Sequence, residues 1–363
     1  MKILVTGGHV TPALALLERL KDHEIVFVGR KYALESEQTL SLEYKEITRR
    51  NIRFIHLQTG RLNRLVSTAT IASVLRIPFG FFQGFRIIKE ERPQIILTFG
   101  SYLAVPIAFW AYLSEIPVYL HEQTSIPGKA NRFIGLFAKK IFVSFPETER
   151  FFPKHKVFLT GNPIRTSVFK SKKKPTTFYK DRPVIYVTGG SLGSHGINLH
   201  LKNILPALLK KYIVIHQVGD TAKYNDYEML LNFKEQLPER LKSFYFPKKH
   251  FLEEEIGYVY AQADVVVGRA GANTFFELIS LEKPAIFIPL PWSAGKEQQK
   301  QAEIFQKEGV GEIFPQSEPS ERLAVLIDTV VKNLFQYRKN FKNLRRLYKK
   351  DAADIILKEI FKE

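Results

Sequence analysis

The sequence predicts an α/β protein of two doubly wound, Rossmann-like domains, each built on a parallel sheet and facing the other across a cleft. Three observations predict it. Short β-branched runs alternate with longer helical patterns through the first half of the 363 residues. The alternation halts at a polar stretch rich in lysine, threonine and proline, Lys170 to Arg182. A second series then opens with Val184–Val187 and a glycine turn of its own.

In order, strands are expected at Lys2–Val5, Glu24–Val28, Ile52–His56, Gln94–Phe99, Val118–His121, Ile141–Val143 and Val157–Leu159. Pro12–Lys21, Thr68–Glu90, Leu103–Leu113 and Lys129–Ala138 suit helices, several behind a glycine or proline start signal. The second series has strands Val184–Val187, Ile213–Gln217, Ser243–Phe246, Val265–Val267 and Ala285–Ile288. A long amphipathic helix pattern covers Arg338–Phe361. The bounds that follow are 1–163 for the first domain and 164–340 for the second, with a terminal helix over 341–363 expected to pack back onto the first.

An apolar content of 45% is ample for two cores. With no cysteine, disulfides and thiolate metal sites are excluded, and a reducing compartment is the simpler assumption. Met1–Val5 reads as a strand entering a glycine turn, with no secretion signal expected. Leu65–Phe85 is broken by Arg76, Pro78, two glycines and Gln83, so no transmembrane helix is expected there. The formal charge of +18 implies an anionic partner, whether nucleic acid, acidic membrane or phosphorylated substrate. No basic run with interleaved aromatics, zinc finger or recognition helix supports nucleic acid.

Four turns stand where strands end. Gly7-Gly8-His9 with Pro12 permits close approach of a ligand to free helix N–H groups, and His9 is either a general base or a packing residue. Gly189-Gly190-Ser191-Leu192-Gly193 repeats that chemistry without being a Walker loop or a full dinucleotide fingerprint. In Arg269–Glu277, Arg269 suits a phosphate, and Glu277, two turns into a helix, suits either a ribose diol or a surface salt bridge. Gln298 and Gln301 lie three apart on one helix face, read as sugar-hydroxyl ligands or as solvated glutamines.

Together these turns resemble the N-acetylglucosaminyltransferases of glycosyltransferase family 28, the MurG type of peptidoglycan synthesis, which have the GT-B fold. The likeness runs over most of the chain. It includes Gly7-Gly8-His9 with Pro12-Ala13-Leu14, His121-Glu122-Gln123 with Ile126-Pro127-Gly128 and Asn131-Arg132, Ser144–Thr148, Gly161–Arg165, Gly189-Gly190-Ser191, His216-Gln217, Arg269–Ala272, Glu277, and Gln298 with Ala302.

The resemblance implies an inverting transfer from UDP-N-acetylglucosamine to a polyprenyl-diphosphate-linked muramyl-pentapeptide, with no cofactor and no catalytic metal. Donor contacts would come from Arg165, Ser191, Leu252, Arg269, Ala272, Glu277, Gln298 and Gln301, and acceptor contacts from Gly7, Gly8, Tyr102, His121, Glu122, Gln123 and Asn131. His9 would be catalytic. The protein would work peripherally at the cytoplasmic face of the cell membrane.

Departures from the family pattern are a first glycine loop about three residues short, Leu192 for glutamine, Thr124 and Gln301 for asparagine, and Ser101 for glycine. They imply a largely intact donor site and a remodelled acceptor site. Rival readings are a transferase with a different lipid or glycan acceptor, a nucleotide-sugar epimerase of the same fold, and a non-catalytic membrane scaffold. Leu62–Phe85, flanked by Arg61, Arg64, Arg76 and Arg86, is expected to lie in an anionic membrane interface rather than in a buried helix pair.

Overall fold

The computed structural model describes residues 1–32, 40–60, 68–190, 192–220, 224–293 and 296–362, with side chains except those of Leu42 and residues 68–73. The chain forms two compact units, one of Met1–Arg165 with Lys349–Glu363 and one of Thr166–Tyr348.

In the first unit, seven parallel strands stand in the order β3-β2-β1-β4-β5-β6-β7. They are β1 (Lys2–Thr6), β2 (Glu24–Gly29), β3 (Arg53–His56), β4 (Ile95–Thr98), β5 (Val118–Glu122), β6 (Lys140–Val143) and β7 (Val157–Leu159). Helices α1 (Val10–Leu17), α2 (Leu42–Thr48), α3 (Thr68–Glu91), α4 (Ala104–Leu113) and α5 (Lys129–Phe137) connect them. Both faces of the sheet are covered, so its strands are continuous apolar runs. Alternation along β1 sends Ile3 and Val5 into one core with Leu14 and Phe27, and Leu4 into the other with Ile96 and Ile107.

The second unit has six parallel strands in the order β10-β9-β8-β11-β12-β13. These are β8 (Val184–Thr188), β9 (Ile213–Gln217), β10 (Tyr245–Lys248), β11 (Val265–Gly268), β12 (Ala285–Phe287) and β13 (Gly311–Ile313). Its helices are α6 (His195–Leu208), α7 (Asp226–Glu235), α8 (Glu239–Lys242), α9 (Glu253–Gln262), α10 (Ala272–Ser280), α11 (Glu297–Lys307), α12 (Ser320–Lys332) and α13 (Leu334–Asn340). A last helix, α14 (Ala352–Phe361), belongs to the first unit, where Ala353, Ile356 and Ile360 join the core of Ile3 and Leu14.

Each sheet reverses its strand order once, between β1 and β4 and between β8 and β11. Ligands of doubly wound sheets bind at this reversal, beyond the carboxyl ends of the strands. The glycine turns after β1 and β8 lie there.

Several expectations need correction. The chain passes between units at 165/166 and 348/349, not at 163 and 340. The polar stretch 170–182 is no boundary: the amides of Lys172 and Lys173 donate to the Glu254 carbonyl, and Phe178 packs on Phe246, inside the second unit. Arg338–Phe361 is not one helix. A 3₁₀ segment, Phe341–Leu347, follows α13 and packs in the second unit, with Phe341 against Phe305, before the chain crosses to α14. β13 escapes sequence reading because three residues are too few for periodicity, and β10 starts two residues later than expected. Helix α1 spans Val10–Leu17 instead of Pro12–Lys21, with Pro12 tolerated in its first turn.

Candidate functional site

At the first reversal the turns after β1 and β4 touch. Gly8 has φ +151°, and a Cβ there would lie 2.7 Å from the Gly100 carbonyl oxygen, so only glycine fits. Thr6 and Thr98 share a hydroxyl hydrogen bond of 2.8 Å, and the Gly100 amide donates to Thr98 Oγ1 at 3.1 Å. His9 caps α1 through its backbone alone and is half-buried, with burial lowering its pKa to about 4.

The buried Glu122 at the end of β5 organises the neighbouring turn. It accepts from the Thr124 amide at 2.8 Å, the Thr124 hydroxyl at 2.7 Å and Asn131 Nδ2 at 2.6 Å. Burial raises its pKa against those bonds. Thr124 thus completes a local network where the family has asparagine, and Glu122 holds the turn.

His121 and Gln123 are buried, and His121 Nδ1 and Gln123 Oε1 have no hydrogen-bond partner among the described residues. Burial lowers the His121 pKa to about 3. Tyr102 is half-buried, with the Arg30 guanidinium 5.9 Å from its ring centre. Gly7, Gly8, His9, His121, Glu122 and Gln123 therefore gather at the carboxyl ends of β1 and β5, with Tyr102 just past β4 and Asn131 bonded to Glu122.

At the second reversal, Gly190 and Gly193 have φ of +86° and +77°, and a Cβ on Gly189 would lie 2.3 Å from the Ser194 nitrogen. Gln217, from the end of β9, donates to the Gly190 carbonyl at 3.1 Å and accepts the Phe251 amide at 3.0 Å, tying the glycine turn to the 251–252 loop. Ser191 lies outside the described residues.

Arg269 is not positioned as a simple phosphate ligand. Its guanidinium donates to the Ile288 carbonyl at 2.8 Å, to Ser194 Oγ at 2.7 Å and to Gln316 Oε1, while burial lowers its pKa to about 10. It is a strut beneath the start of α6. Glu277 is 4% exposed and accepts the Tyr260 hydroxyl at 2.8 Å, which removes the surface salt-bridge alternative.

Ala272 is the first residue of α10, and Leu252 precedes α9 at 38% exposure. Gln298 accepts the Leu290 amide at 2.9 Å. Gln301 is 1% exposed and donates to Glu297 at 3.1 Å, so it is not a solvated glutamine. Arg165, half-buried, is the last residue of the first unit before the crossing. Sequence reasoning missed Gln217, Tyr260 and Gln316 as organisers, because their roles come from contacts distant in the chain.

On the first unit, helices α3, α4 and α5 expose a broad apolar surface. Leu75, Phe79 and Phe82 are 74%, 53% and 60% exposed, joined by Tyr112, Leu113, Phe133 and Leu136. Gly84 lets α3 close on α4, where a Cβ would lie 3.0 Å from Pro106, and Trp110 donates to the Phe81 carbonyl at 2.7 Å. Arg61 and Arg64 lie outside the described residues. No described helix is long and apolar enough to cross a membrane.

Two parallel α/β units with a glycine turn at each strand-order reversal make up the GT-B architecture. The chain belongs to glycosyltransferase family 28, matching its N-terminal domain over residues 5–143 and its C-terminal domain over 184–356. It is 34% identical to the UDP-N-acetylglucosamine--N-acetylmuramyl-(pentapeptide) pyrophosphoryl-undecaprenol N-acetylglucosamine transferase of Clostridium novyi, over 93% of each chain. Among solved structures, MurG of Acinetobacter baumannii superposes with a TM-score of 0.66 at 23% identity, covering all of both chains. The UDP-GlcNAc 2-epimerase of Neisseria meningitidis does so at 0.64 with 13% identity over all of both chains, so fold alone does not separate transferase from epimerase.

Proposed function

We propose that the protein transfers N-acetylglucosamine, with inversion, from UDP-N-acetylglucosamine to an undecaprenyl-diphosphate-linked N-acetylmuramyl-pentapeptide. The observation that carries the reading is Glu277, a buried carboxylate held by Tyr260 at the second reversal, where a ribose diol offers it two donors. The Clostridium relative is named for this donor and this acceptor, which supports the same pair here.

In this reading the amides of the Gly189–Gly193 turn, Ser191 and the α6 N-terminus stabilise the diphosphate, without a metal. Ala272 lies beside it, Arg165 and the Phe251–Leu252 loop serve phosphate and base, and Gln298 and Gln301 read the sugar. Arg269 acts through Ser194 as a positioning residue. The acceptor hydroxyl attacks the anomeric carbon, the bond to the diphosphate oxygen breaks with its electron pair leaving on UDP, and neutral His9 takes the hydroxyl proton. Tyr102, His121, Gln123 and Asn131 line the acceptor side, and Glu122 holds it in shape. The apolar α3–α5 surface, rich in aromatics and flanked by Arg76 and Arg86, suits peripheral binding to the anionic cytoplasmic face of a membrane.

The test is UDP release from UDP-N-acetylglucosamine, UDP-glucose and UDP-N-acetylgalactosamine, with and without a short-chain lipid-linked muramyl-pentapeptide. Acceptor-dependent release from UDP-N-acetylglucosamine alone is expected. Donor binding without release would move the assignment to another acceptor, and absence of donor binding would overturn it.

A further inference from the structure

The stretch between β2 and β3 carries no motif, yet it delivers a carboxylate into the first glycine turn. Ser41 fixes the start of α2. Its hydroxyl donates to the Arg30 carbonyl at 2.6 Å and accepts the Tyr44 amide at 3.0 Å, while its amide donates to the Lys31 carbonyl at 2.8 Å. Two residues on, Glu43 lays its carboxylate against Gly7 and Gly29. A Cβ on Gly7 would lie 1.5 Å from Glu43 Oε1, and one on Gly29 would lie 2.8 Å from Cδ, so neither position admits a side chain while Glu43 stays.

Glu43 Oε2 accepts the Arg30 amide at 3.3 Å. Among the described residues Oε1 is enclosed with no hydrogen-bond partner, although the Gly8 amide lies near enough to favour the charged form. A glycine turn opening a helix is where a ligand anion is expected. Here the protein's own carboxylate packs against that turn, beside Gly7, whose amide donates to the Val28 carbonyl at 2.8 Å, in a turn about three residues shorter than the family's.

We infer that Glu43 competes with the acceptor's diphosphate for the Gly7–His9 turn, so that acceptor binding requires Glu43 to be neutral. The inference rests on the reading of the first unit as the acceptor site. A carboxylate beside a diphosphate adds repulsion in a low-dielectric turn, whereas a carboxylic acid donates its O–H to a phosphate oxygen. The proton comes from solvent.

Among the described residues, the charged and titratable groups around Glu43 are Arg30 just past β2, Lys31 and Tyr44 flanking the start of α2, His56 on β3 against the Lys31 amide, and Tyr102 through Arg30. Arg30 favours the carboxylate, but burial outweighs it and lifts the pKa to about 7. The residue therefore titrates in the working range.

The experiment measures KM for acceptor and for donor, with UDP-N-acetylglucosamine and a short-chain lipid-linked muramyl-pentapeptide, from about pH 6 to pH 9. It compares the native protein with Glu43→Gln and Glu43→Ala. Native acceptor KM should rise about tenfold per pH unit above neutrality, while both variants stay flat and bind acceptor more tightly at high pH, with donor KM unchanged. A variant profile parallel to the native one, or weaker acceptor binding by Glu43→Gln, overturns the inference. Should the native protein not turn over this acceptor, the same comparison is made by calorimetry with inorganic diphosphate. Tighter high-pH binding by Glu43→Gln then sustains the inference although the acceptor assignment has failed, and equal binding refutes it.

Discussion

Asn131 donates Nδ2 to the Glu122 carboxylate at 2.6 Å while its Oδ1 accepts the Ser101 amide at 3.2 Å, so one side chain couples the turns after β4 and β5. Ser101 sits at φ +74° and Gly100 at +82°, conformations this bridge helps to hold. Asn131→Ala leaves a buried carboxylate oxygen and an amide without partners, and should cost about 1–3 kcal/mol for each. Urea unfolding checks this. Asn131→Asp, which sets carboxylate against carboxylate, should be worse at pH 8 than at pH 5, and the reverse order would refute the account.

His216 is completely buried, with Nε2 against Asn198 Oδ1 at 3.1 Å and Nδ1 against the Tyr245 hydroxyl at 3.0 Å. Asn198 Nδ2 already donates to Asp226 and to the Val218 carbonyl, so Oδ1 must accept, Nε2 carries the proton and Nδ1 accepts from Tyr245. Burial lowers the pKa from 6.5 to about 3. A folded pKa below the unfolded value gives stability that is fully present above pH 6.5 and is lost as pH falls toward 3. At pH 5 the loss is about 2 kcal/mol. His216→Gln should be less stable than native at pH 7.5 but show a shallower decline toward pH 4.5, measured by denaturant titration.

Arg269 bonds three acceptors from a planar fork that lysine cannot reproduce. Arg269→Lys should lower stability by about 1–3 kcal/mol and raise donor KM through the loosened start of α6, leaving acceptor KM unchanged. An unaltered melting temperature with a large donor effect would instead mean that the guanidinium meets the ligand directly.

Glu277→Ala should reduce kcat/KM for donor by about 10- to 100-fold, the scale of one or two charge-assisted hydrogen bonds. Tyr260→Phe removes only the bond that aims the carboxylate and should cost about threefold to tenfold, mostly in KM. Steady-state kinetics on both variants would separate contact from positioning, and equal losses would show that Tyr260 is more than a support.

Replacing Leu75, Phe79 and Phe82 together by serine removes three exposed apolar side chains at about 1.5–3 kcal/mol for each one fully buried. Sedimentation with anionic vesicles should fall at least about tenfold, while turnover of a water-soluble acceptor stays at the native rate. Unchanged sedimentation would move membrane contact off the α3–α5 surface.

The glycine turns and the strands before them were legible in sequence because their signals are local: an apolar run, a glycine, a helix start. Both strand-order reversals and most of the candidate site follow from these. Tertiary roles were not legible. Arg269 and Glu122 carry ligand-like chemistry in sequence, and only their partners 75 and nine residues away turn them inward. Glu43 had no local signal at all, since the groups it faces come from the turn after β1, the end of β2 and the loop after β2. The Arg338–Phe361 pattern misled for the opposite reason: amphipathic spacing persists while the backbone tightens to 3₁₀ and changes units.

The return of α14 to the first unit has a consequence for synthesis. Ile356 and Ile360 complete a core whose other members include Ile3, Leu14 and Phe27, so the earliest-made half of the chain leaves the ribosome with an apolar face uncovered. That face stays open until α14 has been translated, while the second unit has all its residues by Tyr348. The half made first is thus the last to close.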